Sequence, residues 1–220
     1  PAGLAELAEA ARAALRQVEA VEVVDDVDRV TAAAMRERLG LSVELFEAGE
    51  DYADLNNIAS PLQNIRDVFD LMPTATTDHW EIIAARMGAV PAAVDGYIES
   101  LRLAVADGPA PALRQVEIGI TQAEELAGDA SFWTTFAASA EAPEALAAEL
   151  DRNAHVARGA YARLADALRE LAPHAPQADA VGRERYGRLS RLFLGATIDL
   201  DETYEWGREE LARIVAEQDE

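Results

Sequence analysis

"PEALAAELDRNAHVARGAYARLADALREL", residues 143–171, decides how this chain folds. Leu146, Leu150, Ala154, Ala157, Tyr161, Leu164, Leu168 and Leu171 recur at spacings of three and four, which lines them along one side of a long helix. Glu149, Arg152, Arg163, Asp166, Arg169 and Glu170 fall on the opposite, solvated side. A helix of this length with one apolar stripe needs other helices to cover it.

The same period runs outward in both directions. It predicts a first helix near Leu4 to Val21 and a second from about Val27 to Glu47, the latter entered through Asp25 and Asp26, which suit an N-cap and the positive end of the helix dipole. Further helices are expected at Pro61 to Met72, Asp78 to Met87, Ala92 to Ala106, Leu113 to Ala127, Ser131 to Ala138, Ala178 to Leu194 and Asp201 to Glu217. Asp78 with Glu81, and Asp199 with Glu202, resemble capping boxes in which Asp takes the cap. Met72-Pro73, Val90-Pro91, Gly108 to Pro111, Gly128-Asp129 and Pro173 to Pro176 break the pattern at short intervals. Alternating β-branched runs are missing, the nearest being Val21 to Val24. The expected fold is therefore all-α, a multi-helix array of about nine to ten helices without a significant sheet, over residues 1–220 as a single helical domain.

Composition narrows the partners. The 220 residues carry 41 acidic against 19 basic side chains, every basic one being Arg, for a net charge of -22. Such a surface repels phosphate backbones, so nucleic acid is excluded as a partner. No stretch approaches the roughly 18 consecutive apolar residues that a membrane helix needs, so no membrane partner is expected. With no cysteine there is no disulfide, thiolate zinc site or Cys nucleophile, which is compatible with a cytoplasmic location. The chain opens at Pro1, so a targeting segment removed before it stays open.

Signals of catalysis are few. His79, His155 and His174 have no partner four residues away, and no H-E-x-x-H occurs, so no metal ligands are assigned within the chain. Glycine-rich phosphate loops and a G-x-S-x-G elbow are also absent, and no catalytic residue is assigned.

One segment departs from the Ala, Leu, Glu and Arg background. "DLNNIASPLQNIRDVFDLMPT", residues 54–74, sets Asn56, Asn57, Gln63, Asn64, Arg66 and Asp67 among Leu55, Ile58, Leu62, Ile65, Val68 and Phe69. Two readings stay open. In one, Ser60 caps a helix whose first residue is Pro61, Arg66 pairs with Asp70, and the amides satisfy loop backbone. In the other, Asn56, Asn57, Gln63, Arg66 and Asp67 line a substrate cleft, because polar groups within an apolar segment need partners that a ligand can supply. The last helix raises a separate question. Tyr204, Trp206, Leu211, Ile214 and Val215 give it a periodic apolar content that runs to the final residues with no capping signal, as in a chain cut before its packing partners.

"LNNIASPLQNIRDVFDLMPTATTDHWEIIAARMGAVPAAVDGYIESLR" (55–102), "RQVE" (114–117) and "ETYEWGREELARI" (202–214) resemble the amino-terminal half of the bacterial family labelled domain of unknown function eight-eight-five. The likeness covers most of the chain from about residue 25 onward. It implies a longer, largely helical protein similar to zinc metallopeptidases of carboxypeptidase type, with an H-E-x-x-P-G-H-H stretch in its later half. This chain contains no such stretch. The resemblance thus implies a zinc-dependent peptidase or amidase whose zinc is held outside these residues. Its partners would be the C-terminal half of its own protein and a peptide-like substrate, with these 220 residues inactive alone. The runner-up is a non-enzymatic helical module that binds a protein or peptide.

Overall fold

The structure, a computed structural model, describes residues 1–218. Among them are ten α-helices and three short 3-10 turns, with no strand. The expected all-helical class and helix number are found. No helix among the described residues is long and apolar enough to cross a membrane. The chain divides into two compact units, one of residues 1–6 and 46–179, the other of residues 7–45 and the chain from Ala180 on.

The first unit holds α3 (Pro61–Asp67), α4 (Thr77–Gly88), α5 (Val90–Asp107), α6 (Leu113–Ala127), α7 (Phe132–Ala138) and α8 (Glu144–Leu171). α8 is the axis on which α4, α5, α6 and α7 pack. Its buried residues include all eight stripe positions of the sequence and add Ala160, Ala165 and Ala167. Alanine on so many sides of one helix lets neighbouring helices come close on several faces. At the tightest approach, Gly119 of α6 faces α8 and the segment before α3: a Cβ there would stand 3.3 Å from both Leu168 and Leu55 side chains. The core between these helices is aromatic at one end, where Phe69 meets the edge of Trp133 at 5.2 Å and Phe132 stacks on Phe136 at 5.0 Å.

The second unit holds α2 (Asp26–Glu47, as far as Leu45), α9 (Arg183–Leu194) and α10 (Leu200–Gln218), together with α1 (Ala2–Ala20) from Leu7 on. Here burial is sparse. Ala8, Ala11, Leu41 and Leu45 are its buried residues, and none of α9 or α10 is buried. Polar ties do more of the joining: Arg191 bridges Glu37 and Glu44 of α2, and Arg38 donates to the Leu192 carbonyl at 2.7 Å.

Helix boundaries follow local chemistry. Asp25 caps α2 as expected, its Oδ1 accepting from the Asp28 amide at 2.8 Å while Asp28 accepts from Val24. Asp199 caps α10 in the same way, accepting from the amides of Asp201 and Glu202. Three expectations are corrected. The cap of α4 is Thr76, whose hydroxyl accepts from the His79 amide, and Asp78 sits in the first turn instead. The α3 helix stops at Asp67 and tightens into a 3-10 turn at Val68–Leu71, because Pro73 holds Met72 in extended backbone. α9 starts five residues later than expected, since Gly182 takes a φ of 79° that a helix cannot contain.

Candidate functional site

The segment between the 3-10 turn Glu50–Tyr52 and α3 has no regular structure, yet it is tied down along its length. Leu55 and Leu62 plug its two ends into the core of the first unit. Between them, side chains from three helices seize the backbone. Tyr97 of α5 donates to the Asp54 carbonyl at 2.8 Å, and Tyr161 of α8 donates to the Leu62 carbonyl at 2.9 Å. Gln115 and Gln122 lie seven residues apart on α6 and so share a face. The first accepts from the Asn57 amide at 3.0 Å, and the second donates to the Asn57 carbonyl at 3.1 Å.

Asn56 and Gln63 work inside the segment. Asn56 Oδ1 accepts from the amides of Ile58 and Ala59, and its Nδ2 donates to the Ala59 carbonyl at 3.0 Å, closing an Asx-type turn. Gln63 Oε1 accepts from the Ser60 amide at 2.8 Å, while Nε2 donates to the Asn56 carbonyl and to Gln122 Oε1. Ser60 and Pro61 begin α3 as the sequence suggested, with Gln63 supplying the reciprocal arm of the cap.

The five residues read as cleft-lining candidates therefore fall into two groups. Asn56, Asn57 and Gln63 belong to the tether network, with Asn56 and Gln63 spending their amides inside it. Asn57 takes part through its backbone, so its exposed carboxamide makes no hydrogen bond among the described residues. Arg66 and Asp67 stand apart from the network. Arg66 pairs with Asp67 at 3.0 Å and with Asp70, and lies 4.0 Å above the centre of the Phe132 ring. Beside Asn57, Ile58 forms the tip of the turn and is 79% exposed.

Burial pushes the phenols of Tyr97 and Tyr161 far above their ordinary range, which keeps both as hydrogen-bond donors. Shielding from water raises Asp51, aided by the charge of Glu50. It also raises Asp54, whose carboxyl is shielded although the residue as a whole is exposed; the Asn56 amide opposes that rise and Asp51 adds to it.

Gln115, Gln122, Tyr97 and Tyr161 were not singled out as site residues by the sequence reading. The seven-residue spacing of the two glutamines on α6 was the available signal. As for the zinc that the resemblance implies, His79, His155 and His174 lie on α4, α8 and a 3-10 turn. Among the described residues no three His, Cys, Asp or Glu side chains form a group that could hold a metal ion, so the residues present do not fit one.

Fold and loop together define an all-helical protein with an amide-pinned turn ahead of α3. Residues 1–220 match the family described as "Bacterial protein of unknown function (DUF885)", and the chain belongs to that family. Among curated proteins none matches the chain.

Proposed function

We propose that these residues form one wall of a peptide-binding cleft in a peptidase or amidase, with the zinc of that reaction held by residues other than these 220. The observation that carries this reading is the pinned turn at Asn57. A peptide offers amide donors and carbonyl acceptors in alternation, and a carboxamide such as Asn57 matches both. Because the turn is already fixed from three helices, presenting Asn57 to a ligand costs little ordering entropy. Arg66 and Asp67, on the first turns after it, add a cation and an anion to the same segment.

A test uses the product of the whole reading frame and a mixed peptide digest, with cleavage followed by mass spectrometry. Asn57→Ala is expected to raise KM several-fold and leave kcat and the melting temperature unchanged, as for loss of uniform binding. Unchanged kinetics would remove Asn57 from the cleft. Residues 1–220 alone are expected to hold no zinc and cleave nothing, whereas the whole product is expected to hold about one zinc per chain. The second reading, a non-enzymatic module for protein or peptide, draws on Ile58: an aliphatic tip on a fixed turn suits insertion into a partner. Peptide capture by the whole product without zinc or cleavage would select it.

A further inference from the structure

Charge sets α9 apart from its neighbours. Arg183, Arg185, Arg188 and Arg191 stand against Glu184 alone within it, whereas every other α-helix described is neutral or negative. Burial does little to hold this helix in place. None of its residues is buried, and Tyr186, Leu192, Phe193 and Leu194 are exposed. On α2 only Leu41 and Leu45 are buried.

The joint between α9 and α2 is polar and reciprocal. In one direction the Arg191 guanidinium of α9 forks onto Glu37, Nε donating at 2.6 Å and Nη2 at 2.7 Å to separate carboxylate oxygens, while Nη1 reaches Glu44 at 3.1 Å. Glu37 and Glu44 lie seven residues apart, so α2 presents both on one face. In the other direction Arg38 of α2 donates to the Leu192 carbonyl at 2.7 Å. That carbonyl is among the last of α9, which lack a partner within the helix and carry the negative end of its dipole. Gly195 closes α9 at a φ of 70°, and a Cβ there would stand 3.3 Å from the Arg38 guanidinium, so glycine keeps room for the contact.

The fork is partly shielded, with the Arg191 and Glu37 side chains 26% and 29% exposed. Hydrogen bonding from Arg191 holds the Glu37 carboxyl below its ordinary range. The neighbouring arginines are engaged elsewhere: Arg188 pairs with Glu184 inside the helix at 2.8 Å, and Arg183 pairs with Asp201 of α10. Attraction between a basic helix and an acidic one, with little apolar burial behind it, is weakened by salt as a packed core is not. We propose that the Arg191 fork on Glu37 and Glu44, together with the Arg38–Leu192 contact, is an ionic latch that holds α9 on α2 at low ionic strength and releases it as salt rises. Salt thus acts here against the trend of the whole chain, whose net charge of -22 favours compaction when screened. The latch shares no residue with the turn at Asn57, so its failure leaves the peptide-cleft reading untouched.

Hydrogen exchange of the full chain, read by mass spectrometry on fragments of α9 and α8, tests the latch between about 0.05 and about 0.5 M sodium chloride. Fragments of α9 are expected to exchange at least about threefold faster at the higher salt, with fragments of α8 no faster. Arg191→Glu is expected to bring fast exchange to α9 already at low salt, with little further response to salt, while α8 keeps its protection. Adding Glu37→Arg restores a pair of opposite charges and is expected to recover slow exchange in α9, which a general loss of folding would not allow. Exchange in α9 that ignores salt, or slows with it, overturns the proposal. So does equal acceleration of α8 and α9, an Arg191→Glu chain that matches the wild type, or a double variant that recovers no protection.

Discussion

Gln122 donates to the Asn57 carbonyl and accepts from Gln63, so one side chain on α6 holds both limbs of the turn. Gln122→Ala removes both bonds and is expected to cost about 1–2 kcal/mol, read from the shift of a denaturant midpoint at constant slope. Tyr161→Phe removes one buried tether and keeps the ring in the core, at about 1 kcal/mol by the same measurement. Gly119→Ala acts differently. The new methyl meets the ends of the Leu168 and Leu55 side chains at 3.3 Å, so these leucines must give way by a few tenths of an ångström within a packed core, for a loss of about 1 kcal/mol. Asp54 gives a pH signature. Its carboxyl titrates above its unfolded value of 3.8 because it is shielded from water, so its ionised form opposes folding at neutral pH. That cost disappears as pH falls through the raised native value toward 3.8. Asp54→Asn is accordingly expected to raise the melting temperature at pH 7, with the gap to wild type closing in that acidic window.

At the scale of elements, the helices were legible because their cause is local. The stripe from Leu146 to Leu171 is written at spacings of three and four, and all eight of its positions are buried. Asp25 and Asp199 could be read as caps since their partners lie within three residues. Asp78 misled because Thr76, two residues earlier, already had the extended backbone that a cap needs. The tethers were illegible for the opposite reason: Asn57 and Gln115 are 58 residues apart, and Tyr161 and Leu62 are 99 apart. No periodicity records which distant carbonyl a tyrosine meets. The cap of α10 offers a test with a sign. Backbone amides of Glu202 and Asp201 hold the Asp199 carboxyl below 3.8. Asp199→Ala is expected to reduce helicity by circular dichroism above that value, and the difference from wild type should vanish as pH drops through the lowered native value.

For the molecule as a whole, two features dominate: a first unit organised about a helix buried on many sides, and a strong excess of negative charge. Self-repulsion at a net charge of -22 opposes compactness and is screened by salt. Raising sodium chloride from low ionic strength to about 0.5 M is expected to raise the melting temperature, whereas a fall would show that ion pairs such as Arg163–Asp95 and Arg102–Glu170 outweigh the repulsion.

The account rests on a turn that is surface-exposed and yet fixed. Amide hydrogen exchange at Asn57, Ile58, Ala59 and Ser60 tests it most directly, because each of these amides donates to a side-chain carbonyl in the network. Strong protection of all four in the wild type, lost at Asn57 in Gln115→Ala and at Ser60 in Gln63→Ala, is the predicted result. Exchange at the rate of an unstructured peptide in the wild type would contradict it.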